Sequence, residues 1–281
     1  MNFDDYCQKK AAPPGSSIYY ALRQAPLTSQ GALIALFALR RELEEATRET
    51  SEPAIGQTKL AWWRKELAAL AEGQPSHPVS QALALHASAI ASDHAVLQAL
   101  ADGFAMDLEQ TRYLDWPNLR RYVERVGGGF AGLVARATTG PAIPADIAPA
   151  WAASLGEGLQ LAQIVEDVGD DLRHGRVYLP FDELQRYEVT SVDLMHRRYS
   201  PAFRKLMRFQ VTRARETLHA ALEAIPAAEL PAQRSLRALA ALALATLDEI
   251  EGEDYQVLHQ RILLTPIRKL WVAWRAAQRR Y

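Results

Sequence analysis

The chain of 281 residues holds one cysteine, Cys7, which rules out an internal disulfide framework and suits a reducing compartment. No CxxC pair and no HxxxH spacing occurs, so a zinc centre is not expected. Neither sign of charge is in excess. Lysine and arginine number 32 against 33 acids, a formal net charge of −1, and no basic groove is indicated for nucleic acid. Long hydrophobic runs are missing as well. The apolar stretch Leu239–Leu247 is far short of the ~20 residues a membrane span needs, and an acidic segment follows it. The N-terminal MNFDDYCQKK carries acids early and has no apolar core, so no signal peptide is expected. Strand-like alternation is almost absent. These absences predict a cytoplasmic protein, with any membrane contact peripheral and at the inner face.

What remains is helix. The chain is 49% hydrophobic, enough for a sizeable core. Periodicity predicts a helix capped by Ser29 and running to about Glu49, and a second from Glu52-Pro53 to Gly73. Helices follow at about 79–92 and 94–111, then one from the Asp115 cap to Gly140-Pro141. PAIPADIAP reads as a linker into a central helix over 146–173, and RVYLPFDEL as a loop. Helices over 200–223, 231–251 and 265–280 complete the chain. With no internal repeat and no domain boundary, residues 1–281 read as one all-α domain. Within YVERVGGGFAGLVARATTG, Gly127, Gly128 and Gly129 sit in a helical pattern. Each costs ~0.5–1 kcal/mol relative to alanine, so either close helix packing or a kink that makes room for a ligand should offset it.

The central helix carries two stripes. Leu161, Val165, Val168 and Leu172 form a packing face; Gln160, Gln163, Asp167, Asp171 and His174 form a polar line. Like charges at i,i+4 are unfavourable, and aspartate is a poor helix former. Such a helix calls for a cation. Carboxylate oxygens suit Mg²⁺, which binds through one or two of them plus substrate phosphates, and Arg173, Arg176 and Tyr178 supply donors for a diphosphate. A solvated acidic face is the plainer alternative. A second acid cluster, RRELEEATRE, places Glu42, Glu45 and Glu49 on one stripe and Arg41, Glu44 and Arg48 on the next. The glutamates face either a cavity or water. His174 reads as a surface residue or a proton shuttle, Trp62 and Trp63 as packing. Trp271, Trp274, Arg275, Arg279 and Arg280 face a membrane surface or complement a helix dipole.

QLAQIVEDVGDDLRHGRVYLP resembles the second aspartate-rich motif of the squalene/phytoene synthase family, of the form QLxNIxRDVxEDxxxGRxYLP. GSSIYYALRQAP resembles its N-terminal GSSFYY segment, and YVERVGGGFAGLVAR its YCxxVAGxVGxM helix. The resemblance covers nearly the whole chain. It implies a single-domain helical bundle of the isoprenoid-synthase type around a central cavity. It also implies an Mg²⁺-dependent transferase that condenses two prenyl diphosphates, farnesyl or geranylgeranyl, head to head, with NADPH if the chemistry is that of a full squalene synthase. Asp167, Asp171, Arg176 and Tyr178 fall on catalytic positions. Ser17, Tyr20, Gln160, Gln163 and Gly128 fall on substrate-binding positions, with Arg48 a further candidate to bind substrate, and Asp167, Asp171, Glu44 and Glu45 fall on metal positions.

The first motif departs from the family form FCRxxDDIxDE. It reads LRRELEEATRE, with Glu44 and Glu45 for the leading aspartates and Arg48 for the third. An arginine cannot bind a metal; it pairs with a diphosphate or marks a lost metal site. A family branch that includes a respiratory complex I assembly factor also lacks an intact first motif. The alternative expectation is therefore a catalytically inactive member that binds a protein partner or a lipid. A third is an enzyme acting on a single prenyl diphosphate as a hydrolase or cyclase.

Overall fold

Side-chain caps set where many of the helices begin. A computed structural model describes residues 2–48, 52–139 and 149–278. Asn2 caps α1 (Phe3–Ala11) and Ser16 caps α2 (Ser17–Leu22), each accepting a backbone N–H of the first turn. Then come α3 (Leu27–Thr47), α4 (Pro53–Ala71), α5 (Pro78–His86), α6 (Ser88–Ala91) and α7 (His94–Glu109). Asp115 caps α8 (Trp116–Val123), which passes through a π-helical turn (Glu124–Gly128) into α9 (Gly129–Thr139). After α10 (Ala150–Arg173) lie α11 (Phe181–Arg186), α12 (Ser191–Met195), α13 (Pro201–Glu223), α14 (Arg234–Gly252) and α15 (Pro266–Gln278). Among the described residues the one β feature is an isolated parallel bridge between Arg112 and Val177. The fold is all-α, as expected.

Several boundaries differ from the sequence reading. Ser29 caps nothing: α3 begins two residues earlier, and the Ser29 hydroxyl donates to the Pro26 carbonyl from inside the helix. The helix expected over 79–92 breaks at Ala87, whose φ of −139° is not helical. RVYLPFDEL is only half a loop, since Phe181 opens α11 with two acids in its first turn. Glu49, Arg279, Arg280 and all but the last residue of the PAIPADIAP linker lie outside the described residues.

The α10 helix is the spine. It packs on α13, α14, α9 and the π turn, while α3 packs on α1, α4, α5 and α9 across from it. On α10, Leu161, Val165 and Val168 are buried as the apolar stripe required. Trp63 is buried and Trp62 forms the rim, in edge contact 5.1 Å apart. On α15, Trp271 and Trp274 are exposed, and the Arg275 guanidinium lies 4.9 Å from the Trp271 ring centre. No helix among the described residues is long and apolar enough to cross a membrane.

The glycine run is explained by close approach. A Cβ on Gly127 would collide with the Gly156 carbonyl oxygen on α10, and one on Gly156 with the Gly127 carbonyl. Gly128 lies against the Ala153 backbone, with 3.2 Å from an ideal Cβ to its oxygen, whereas Gly129 is exposed with nothing within 4 Å. Three single alanine substitutions should therefore behave differently. Gly127→Ala should destabilise by at least ~1–3 kcal/mol through overpacking, and Gly128→Ala by less. Gly129→Ala should stabilise by ~0.5–1 kcal/mol. Urea unfolding midpoints measure all three; equal effects would contradict this packing.

Candidate active site

The two helices that carry the acid clusters line opposite sides of one cavity of about 670 Å³. On α3 the residues facing it, Phe37, Arg40, Glu44 and Arg48, recur at helical spacing. On α10 the corresponding set is Gly156, Leu159, Gln163, Asp167 and Asp171. The helices run in the same direction. Arg40 Nη2 donates to Gln160 Oε1 (2.8 Å) and Gln163 Oε1 (3.1 Å), and Arg48 Nη2 donates to Asp171 Oδ1 (2.6 Å). The cavity is thus apolar beside the N-terminal halves, where Phe37 and Phe130 meet edge to face at 4.9 Å, and charged beside the C-terminal halves.

Asp167 and Asp171 are only 8% and 5% exposed. Arg261 Nε lies 3.1 Å from Asp167 Oδ1, close enough to attract but not aligned as a hydrogen bond. Asp171 Oδ2 is buried with no hydrogen-bond partner. Burial pushes the Asp171 carboxyl up to about 7, against the pull of Arg48, and Asp167 adds to the rise. Burial likewise raises Asp167 and pushes Glu166 up to about 7. Among the described residues no three His, Cys, Asp or Glu side chains are grouped to hold a metal by themselves. Asp171 Oδ2, buried without a partner, and the neighbouring Asp167 carboxylate, which Arg261 attracts but does not hydrogen-bond, nevertheless fit one hard cation whose other ligands are phosphate and water.

The α3 side is different. Glu44 lines the cavity, but Arg40 Nε holds its Oε1 at 3.0 Å. Glu45 is not beside Asp167 and Asp171. It pairs with Lys10 (2.6 Å) and Arg41 (3.0 Å) and borders a separate groove with Trp62 and Trp63. Glu42 accepts from Tyr6 at 2.5 Å and meets Lys10 at 3.1 Å. Glu42 and Glu45 thus face α1, because a step of one residue turns a side chain by about 100° around the helix. Arg48 occupies the cavity face instead, over the Tyr178 ring at 5.2 Å.

The remaining candidates divide. Ser17, Gln163, Arg176 and Gly127 line the cavity, and His174 sits exposed at its rim. Tyr20, Gln160, Gly128 and Tyr178 do not line it. Tyr20 packs edge-on to Tyr19 at 5.2 Å; Gln160 is buried and orients Arg40. Tyr178 is buried behind Arg48 and donates to Asp107 Oδ1 at 2.5 Å. Tyr122 donates to the other oxygen at 3.0 Å. Arg176 donates to the Asp107 carbonyl (2.5 Å) and the Thr47 carbonyl (2.9 Å), bracing the ends of α7 and α3. Asp107 was not singled out from the sequence, although an aspartate among the apolar residues of α7 is the signal that marks it. Arg40, Arg261 and Lys269 were missed as well, because nothing local sets them apart from surface cations.

The raised acids make stability depend on pH. Glu166 titrates at about 7 when folded against 4.5 ordinarily, so between these values the folded chain holds a proton that the unfolded chain has lost. The contribution of Glu166 to stability therefore falls as pH rises through that window. Urea midpoints should drop between about pH 5 and about pH 8, and Glu166→Gln should reduce the drop. An identical drop in the variant would mean that Glu166 titrates at its ordinary value.

The squalene/phytoene synthase family model matches residues 11–268. A phytoene synthase of Arthrospira platensis is 30% identical over 278 residues, covering 95% of this chain and 89% of its own length. A 15-cis-phytoene synthase of Synechocystis is 28% identical over 288 residues, covering 98% and 85%. A dehydrosqualene synthase solved with a ligand superposes with a TM-score of 0.82 at 21% identity, over 98% of this chain and 95% of that one. A squalene synthase from Alicyclobacillus acidocaldarius gives 0.74 at 19% identity, over 90% and 94%. The solved structures agree in fold and the sequence matches span nearly the full length: the chain belongs to the squalene/phytoene synthase family.

Proposed function

We propose that this chain is a transferase that condenses two prenyl diphosphates head to head in isoprenoid biosynthesis. The observation that carries the reading is the single cavity with an apolar half and a charged half built on the same faces of α3 and α10. An amphiphile with an apolar tail and an anionic head fits that division. Phe37, Phe130 and Leu159 would hold the prenyl chain and keep water from a carbocation. Arg48, Arg261 and Lys269 are placed to carry the charge of a departing diphosphate. Asp167 and Asp171 would hold Mg²⁺, which when bound supplies Lewis-acid assistance to the leaving group. The second prenyl group would lie against the first within the apolar half, where Gly127 and Gly156 leave the wall without side chains.

A second reading, a non-catalytic binder, is favoured by one observation: Arg48 and Arg40 already engage Asp171 and Glu44. Incubation with farnesyl or geranylgeranyl diphosphate and Mg²⁺, with and without NADPH, separates the readings. Diphosphate release and a product with the mass of two joined prenyl chains are expected. Asp171→Asn should lower turnover about 100-fold or more, in line with the several kcal/mol a metal supplies to charge stabilisation. A product containing one prenyl chain would replace condensation by hydrolysis or cyclisation. No release from either substrate would leave the binder as the function.

A further inference from the structure

The α3 side of the charged half holds a guanidinium where a cation is needed. Arg48 is 13% exposed at its side chain and stands at the C-terminus of α3. Its guanidinium packs on Tyr178, and its Nη2 donates a hydrogen bond to Asp171. Asp171 keeps its other oxygen unpaired. Of the lysine and arginine side chains around the cavity, Lys10 and Arg41 are taken up by Glu42 and Glu45 behind the lining, whereas Arg48, Arg261 and Lys269 stand beside the charged half. The ends of α3 and α10 that border this half are C-terminal, the negative ends of their dipoles, and give an anion no backbone help. Side-chain cations must hold an anion here, and a planar guanidinium matches two phosphate oxygens.

We propose that Arg48 is a built-in diphosphate-binding cation that takes the place of a metal ion on the α3 side, so that diphosphate binds this cavity without any divalent ion. On binding, Arg48 exchanges Asp171 for phosphate oxygens, and Asp171 is released toward a cation on the α10 side. This inference rests on the reading of the cavity as a diphosphate site and deepens it.

The probe is inorganic diphosphate, titrated calorimetrically into the full chain in EDTA and again in Mg²⁺. Binding is expected in EDTA, within about tenfold of that in Mg²⁺. Arg48→Gln should weaken the metal-free binding about 10- to 100-fold, the loss of one charge-assisted contact, and Arg48→Lys should fall between. Arg48→Gln leaves Asp171 without its counter-charge, so the Arg48→Gln/Asp171→Asn double variant, which removes both charges, accompanies it. Near-ultraviolet circular dichroism establishes that each variant is folded. Binding in Mg²⁺ but not in EDTA overturns the inference and leaves the transferase reading standing. Metal-free binding that both Arg48→Gln and the double variant retain at full strength also overturns it. No binding under either condition overturns this inference together with the reading of the cavity as a diphosphate site.

Discussion

Two carboxylates buried one turn apart near the negative end of a helix are the constraint on which the site depends. Asp167 and Asp171 lose hydration, repel each other, and, for Asp171, face the C-terminal dipole of its own helix. Each has a guanidinium brought to it from far along the chain, Arg261 and Arg48. The support for Arg48 closes on itself. Its guanidinium lies on Tyr178, the Tyr178 hydroxyl is held by Asp107, and the Asp107 carbonyl accepts from Arg176. Arg176 also donates to Thr47, the residue before Arg48. A buried ion pair gains little net stability, but removing one partner strands the other. These residues accordingly stand or fall as a group.

The fold serves the same end by bringing backbones unusually close to α10. Gly127 and Gly156 allow the π turn to touch it, and Gly169 allows the Val257–Leu258 backbone to press on its other side. That second contact anchors the segment that carries Arg261 near Asp167. Side chains at these positions would push apart the walls that define the cavity. The local helix penalty of the glycines is thus tied to the geometry of the charged half, not only to packing density.

The helices and the acid pair were legible in the sequence because both are periodic. Asp167 and Asp171 lie four residues apart with an apolar stripe opposite, and one helix suffices to see them. Arg176 and Tyr178 followed on the same stretch and the resemblance to a known motif added Ser17 and Tyr20, but a motif position does not say what a side chain touches. Tyr178 turned out to brace Arg48 from behind, and Tyr20 packs on Tyr19. Glu45 was misread because a helical wheel gives relative directions and not which neighbour occupies each. That its stripe meets Lys10 of α1 depends on a contact 35 residues away. Arg40 with Gln163, Arg48 with Asp171 and Arg261 with Asp167 span 123, 123 and 94 residues. No local pattern records such pairings.

The exchange of an acid for Arg48 on the α3 side separates two tasks that a metal performs together. A metal on carboxylates both attracts the diphosphate and polarises it as a leaving group. A guanidinium attracts it and donates hydrogen bonds, but its charge is spread over a plane and it is not a Lewis acid. If Arg48 binds diphosphate as proposed, attraction on the α3 side would need no ion. Polarisation would then be confined to the α10 side, where Asp171 keeps one oxygen without a hydrogen-bond partner. Under that proposal, attraction of the substrate would rest chiefly on Arg48 and activation of its leaving group on Asp167 and Asp171. A chain that kept the first and lost the second would remain a binder of prenyl diphosphates with its cavity intact. The altered first motif therefore marks the boundary between the two readings of this family member, and Asp171 is the residue common to both.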